Sequence, residues 1–147
     1  MRQAIRIVII VGNLFLGSMA ISANWYQIYE DDEQTVSIET KHMKIQEDQI
    51  SYWEKWVYKN PKKYWVLEKP KKYIEGLDVS TQETYYTYDC KKRMTGFTTA
   101  VLYDKEGNTL FSHKYPLRMR QVTPKSLEEY ILEATCTIKK NIEELKQ

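Results

Sequence analysis

Two cysteines stand in 147 residues, and both follow an N-terminal stretch that reads as an export signal. Cys90 lies in Tyr88-Asp89-Cys90-Lys91-Lys92-Arg93, within a tyrosine-rich alternating stretch, and Cys136 lies in a C-terminal stretch of helical periodicity. In an exported chain an isolated pair is far more often one disulfide than two free thiols. The pair therefore predicts one long-range contact that any fold of this chain must satisfy. Such a bridge closes a loop of about 46 residues, which removes on the order of 4 kcal/mol of chain entropy from the unfolded state. That is comparable with the net stability of a small domain. Thiol chemistry is not expected, since neither cysteine has a second cysteine or a histidine close by in sequence.

Residues 1–23 are expected to be a cleavable signal peptide. Arg2 and Arg6 form a basic start, residues 7–16 are mostly apolar with Gly12 and Asn13 interrupting, and Ser18-Met19-Ala20 or Ile21-Ser22-Ala23 ends in a cleavage site. The apolar run is roughly ten residues, short of the about twenty of a spanning helix. Lipidation through a cysteine after the cleavage site is not expected, because the sequence has none before Cys90. The protein is thus expected in the periplasm or at the cell surface, and not as a lipoprotein. The chain has 22 Lys+Arg and 20 Asp+Glu, and residues 1–23 account for the excess through Arg2 and Arg6. The remaining 24–147, one domain by length, has no basic bias toward nucleic acid.

Twelve tyrosines and four tryptophans suit a sheet, where one ring face packs and the polar tip reaches water. Residues 25–29, 35–40, 50–59, 83–92, 94–103 and 109–115 read as strands. The third has bulky residues on both faces and should be central; Ile50, Tyr52, Trp56 and Tyr58 share one parity, with Glu54 interrupting. Residues 60–80 read as a long excursion between strands, since Pro61 and Pro70 cannot donate to a ladder. Asp104-Lys105-Glu106-Gly107-Asn108 reads as a hairpin loop with Gly107 free to take positive φ. Thr123-Pro124 opens a helix, with Ser126 and Glu129 at capping-box spacing as an alternative start. Leu127, Tyr130, Ile131, Ala134, Ile138, Ile142 and Leu145 form its apolar stripe. Cys136 falls opposite Leu127, which demands a broader packed face or a bend. The expected fold class is α+β: an antiparallel sheet of about five or six strands, a C-terminal helix packed on it, and one disulfide.

Residue chemistry points away from catalysis. His42 and His113 lie far apart without ligand spacing, Ser126 lacks a nucleophile elbow, and no glycine-rich phosphate loop is present. An enzyme, a cofactor and a metal site are not expected. The acidic run 30–33 lacks the spaced oxygens of a calcium loop. The most distinctive surface candidate is 55–72, where seven lysines and one acid interleave with aromatics. It reads either as a binding surface for an anionic partner or as a solvated loop whose lysines protect an edge.

Trp25, the aromatic strand from Trp53 to Val57-Tyr58-Lys59, Tyr88-Asp89-Cys90-Lys91, Tyr103-Asp104-Lys105-Glu106-Gly107-Asn108, Thr123-Pro124-Lys125-Ser126 and Cys136 occur in this order. The set resembles the bacterial surface-adhesin protein E family. The resemblance implies a small antiparallel sheet with a helix docked by a Cys90–Cys136 disulfide. It also implies a Gram-negative protein that binds host proteins such as vitronectin, laminin and plasminogen. The binding residues expected from the 55–73 segment are Trp56, Lys62, Lys63, Tyr64, Trp65, Lys71 and Lys72. Two features depart from the family's best-known adhesin: the absent lipidation cysteine and the tail after Cys136, which offers a partner-facing surface, a homodimer contact or a longer helix. The rival expectation is a periplasmic accessory protein of the envelope with no host role.

Overall fold

Aromatic and β-branched residues continue past Pro61, and the sheet follows them. The computed structural model describes residues 25–68 and 72–147, and within 65–75 the backbone alone. The expected signal peptide, Pro70 and Lys71 lie outside the described residues. The strands are β1 Trp25–Glu30, β2 Gln34–Glu39, β3 Lys44–Gln46, β4 Gln49–Glu68, β5 Lys72–Asp89, β6 Met94–Tyr103, β7 Thr109–Lys114 and β8 Arg120–Gln121; α1 is Leu127–Leu145. The antiparallel sheet has the order β1-β2-β4-β5-β6-β7, with β3 added to the start of β4 and β8 to the start of β6. No helix among the described residues is long and apolar enough to cross a membrane.

Residues 60–80 correct the sequence reading. They are not an excursion: β4 continues to Glu68 and β5 begins at Lys72, so the two strands form one long arm. Pro61 is accommodated because the β4–β5 register shifts between Val57 and Lys62. A bulge asks no ladder hydrogen bond of the proline. β5 is correspondingly longer than 83–92 and stops at Asp89, leaving Cys90 in the turn that follows. The β6–β7 hairpin is as read, with Gly107 at φ +84°.

α1 starts at the alternative site. Ser126 is its N-cap, and its Oγ accepts from the Glu129 N–H at 3.2 Å. The Glu129 carboxylate accepts instead from the Lys125 N–H at 2.7 Å, so Pro124 stands in the preceding turn. The helix is continuous, and its buried face is Ile131, Leu132, Thr135 and Lys139. Leu127 and Cys136 are nine positions apart, about half a turn around the axis. Both pack at the margins of the same core, so the broader face resolves the tension in the sequence stripe. The stripe's outlying members turn outward: Leu145 is 83% exposed, and Tyr130 reaches sideways to donate to the Ile28 carbonyl on β1 at 3.3 Å.

The main core joins β2, β4 and β5 to the helix through Val36, Ile38, Ile50, Tyr52, Tyr88, Val122, Ile131 and Leu132. A second cluster of Tyr58, Val79 and Leu102 supports the outer part of the sheet. Cys90 and Cys136 are bonded, with Cα atoms 5.7 Å apart. Arg93 in the same turn reaches α1 with a fork to Glu133 at 2.6 Å and Glu129 at 2.8 Å. After β7 the chain passes close over Gly96. A Cβ there would lie 2.6 Å from the Arg118 carbonyl oxygen and 3.0 Å from Leu117 and Met119 side-chain atoms. The nearest atom is backbone and cannot swing aside. Gly96→Ala is expected to cost about 1–3 kcal/mol, read as a lowered urea midpoint at unchanged m-value.

Candidate binding face

The register of β4 to β7 aligns their residues in rows across the sheet. Trp56, Gln82, Leu102 and Phe111 form one row; Glu54, Thr84, Ala100 and His113 form the next; Tyr52, Tyr86 and Phe97 form a third. α1 covers the end of this face that holds Ile50, Tyr52 and Tyr88. Toward β6 and β7 the face opens, with Phe97 39% and Tyr115 38% exposed. Ring contacts link the two ends. Tyr52 meets Tyr88 at 5.7 Å, Tyr88 meets Tyr86 at 5.7 Å, and Tyr86 meets Phe97 at 5.9 Å. Phe97 meets Tyr115 at 5.4 Å, Tyr115 meets His113 at 4.5 Å, and His113 meets Phe111 at 6.1 Å. Neighbouring rings at these separations hold one another's orientation, so the exposed end is a preorganised aromatic strip.

A polar network borders the strip. The Tyr58 and Tyr64 hydroxyls are 2.6 Å apart, Tyr64 donates to Gln82 Oε1 at 2.7 Å, and Gln82 Nε2 donates to Thr84 Oγ1 at 2.9 Å. Burial pushes the Tyr58 and Tyr86 hydroxyls up, which keeps both neutral. Beneath α1 lies Glu54, fully buried. Its Oε1 accepts from Trp56 Nε1 at 2.6 Å, and its Oε2 accepts from the Tyr88 and Tyr52 hydroxyls at 2.9 and 3.3 Å. Burial pushes this carboxyl up to about 7 against the hydrogen bonds that favour its charged form. Enclosed as it is, Glu54 meets the sheet and helix rather than a substrate. Among the described residues no three His, Cys, Asp or Glu side chains are grouped to hold a metal.

The expected binding residues whose side chains are described, Trp56, Lys62, Lys63 and Tyr64, each have partners within the fold. Trp56 points inward to Glu54, and Tyr64 is held in the Tyr58–Gln82 network. Lys62 lies over the Tyr58 ring at 4.6 Å and donates to Gln34 Oε1 at 3.2 Å. Lys63 pairs with Asp78 at 2.8 Å across the arm. Trp65 belongs to β4 and Lys72 to β5; Lys71 lies outside the described residues. The flanking lysines are engaged too: Lys55 pairs with Glu83 at 2.9 Å and lies over Trp25, and Lys59 pairs with Glu30 at 3.3 Å. His113 is one ring of the strip, whereas His42 meets the Glu39 carboxylate at 3.2 Å. Phe97 and Tyr115, the exposed end of the strip, were not singled out by the sequence. The available signal was inward parity, and a register shift between Tyr85 and Tyr86 obscures it in β6.

The family model described as Surface-adhesin protein E matches residues 25–137. No curated protein matches the chain. Among solved structures, protein E from non-typeable Haemophilus influenzae is similar, with 11% identity, a TM-score of 0.46, and coverage of 84% of this chain and 80% of that one.

Proposed function

The chain belongs to the surface-adhesin protein E family, and we propose that it is an exported, non-enzymatic binding protein that recognises a protein partner through the open end of its aromatic face. The exposed Phe97 and Tyr115, held by a continuous run of ring contacts, carry this reading. Preordered aromatics supply contact area at low entropic cost. Lys62, Lys63, Lys71 and Lys72, with Trp56, Tyr64 and Trp65, are further members of the proposed binding set. Because Lys62 and Lys63 already have partners within the fold, the lysines add steering that salt screens, while the rings anchor.

Vitronectin, laminin and plasminogen are the proposed partners. Purified residues 24–147 should bind at least one of them when immobilised. Phe97→Ala with Tyr115→Ala should weaken binding at least about tenfold, as removal of two interface anchors does. Changing Lys62, Lys63, Lys71 and Lys72 to alanine should mainly slow association and reduce its salt dependence. Unchanged affinity in the aromatic variant would remove the strip from the interface. Fractionation separates the two settings: cleavage by protease added to intact cells supports adhesion, whereas protection together with release by osmotic shock supports a periplasmic accessory role.

A further inference from the structure

The hydrogen bonds around Glu54 cross from sheet to helix. Tyr52 OH lies 3.3 Å from Glu54 Oε2 and 2.6 Å from Thr135 Oγ1, and Thr135 is buried on α1. A phenol has one proton. When Glu54 is charged, Tyr52 must turn that proton toward the carboxylate, and Thr135 must then donate to Tyr52. When Glu54 is neutral, its own O–H donates within the cluster and Tyr52 is free to donate to Thr135. The protonation state of a sheet residue thereby sets the direction of a hydrogen bond into the helix.

We propose that Glu54 is a proton-operated latch on α1: with the carboxyl neutral the helix seats fully on the sheet, and with it charged the segment ahead of Cys136 loosens about the Cys90–Cys136 bridge.

The surroundings favour such a response. The titratable groups near Glu54 are Tyr52 and Tyr58 on β4, Tyr86 and Tyr88 on β5 and Glu128 on α1, and β2 places Ile38 opposite it. Glu128 adds repulsion, partly neutralised by Arg120 of β8, which donates to it at 2.9 Å. Lys139, the other buried polar residue of the helix face, is held by Glu143 at 2.7 Å. No Lys or Arg among the described residues pairs with Glu54, so ionisation leaves a buried charge with three hydrogen-bond donors but no counter-ion, and water entry would lower its cost. The bridge at Cys136 keeps the helix attached while the segment before it moves. Lifting that segment would extend the open strip by Tyr88 and Tyr52.

Hydrogen exchange of amides 127–135, corrected for the intrinsic pH dependence of exchange, tests the latch. The seated carboxyl titrates at about 7 against 4.5 for the free group. The opening constant should therefore rise by up to about tenfold per pH unit between those values and level off above. Glu54→Gln should abolish the pH dependence. The Trp56 indole N–H resonance should titrate with the same midpoint in the wild type. Thr135→Val keeps the side-chain shape but removes the tie to Tyr52; it should raise the opening constant at every pH while leaving the Trp56 titration and the pH slope as in the wild type. Corrected protection that is independent of pH in the wild type, or equally pH-dependent in Glu54→Gln, overturns the proposal. So does a Glu54→Gln protein that loses protection uniformly at every pH, since that marks a merely structural role.

Discussion

Replacing Cys90 and Cys136 with serine is expected to lower the unfolding free energy by about 4 kcal/mol, the chain-entropy value for the loop this bridge closes. The direction follows from the unfolded chain: without the bridge, the 46 positions separating the two residues regain their freedom while the native contacts stay nearly the same. The native state has other ties between the turn after β5 and the helix, chiefly the Arg93 fork to Glu129 and Glu133. These lie at the surface, where such pairs contribute about 0–1 kcal/mol each, so they do not replace the bridge. Urea unfolding of oxidised protein and the double serine variant measures the difference directly. A loss below about 1 kcal/mol would mean that the reduced unfolded chain retains structure around this loop. Substituting one cysteine alone is a poorer probe, because it leaves a reactive thiol.

The same bridge shows how much of the architecture is legible in the sequence. The cysteine pair, the strand parities and the Ser126 capping signal suffice for an antiparallel sheet with a helix fixed across it. What misleads is local chemistry that the fold overrides. Pro61 reads as the end of a strand until a bulge in β4 removes the demand for its missing N–H. Cys136 reads as misplaced until the helix is found to pack on a face about half its circumference wide, with Leu127 and Cys136 at the margins. β3 and β8, of three and two residues, are too short to leave a period.

The candidate binding face was less accessible. Lysine-rich composition marks 55–72, but partners such as Asp78 for Lys63 and Glu30 for Lys59 are contributed by other parts of the sheet. Whether a lysine is free or spent is a property of register, and a single sequence does not contain it. The aromatic strip is hidden for a related reason. Phe97 and Leu102 face the same way although their positions differ in parity, because β6 slips against β5 near Tyr86. By contrast, Glu54 was visible as a charged interruption in an otherwise inward-facing row. A carboxylate keeping that parity must either point out through a local distortion or be buried with its own donors. The structure takes the second course, with Tyr52, Trp56 and Tyr88 as donors.

That burial should appear as an unusual pH dependence of global stability. Glu54 titrates at about 7 in the native protein and near 4.5 when unfolded, with burial the dominant cause. Below the unfolded value both states hold the proton, and the contribution of this group is fully present. Between the two values the native state keeps a proton that the unfolded chain has released, so stability falls as pH rises. Above the native value both states are ionised and the loss is complete. At 1.36 kcal/mol per pKa unit the whole effect is about 3 kcal/mol. Asp31 and Asp104 act in the opposite sense: at Asp31 the cost of desolvation is outweighed by hydrogen bonds from the Glu33 and Gln34 N–H groups and Tyr29, and at Asp104 the Asn108 side chain leads, so both carboxyls lie below their ordinary value. Their contribution is present above the unfolded value and is lost as pH falls through the native one. A raw stability profile would therefore mix two slopes. The informative quantity is the difference between wild type and Glu54→Gln, measured by urea unfolding from pH 4 to pH 8. Gln retains an acceptor for Trp56 and the bulk of the side chain, but it does not titrate. The wild type should lose about 3 kcal/mol relative to the variant across this range, with the change centred between 4.5 and 7. A flat difference curve would mean that the three donors offset the cost of burial, leaving the native carboxyl to titrate at its unfolded value.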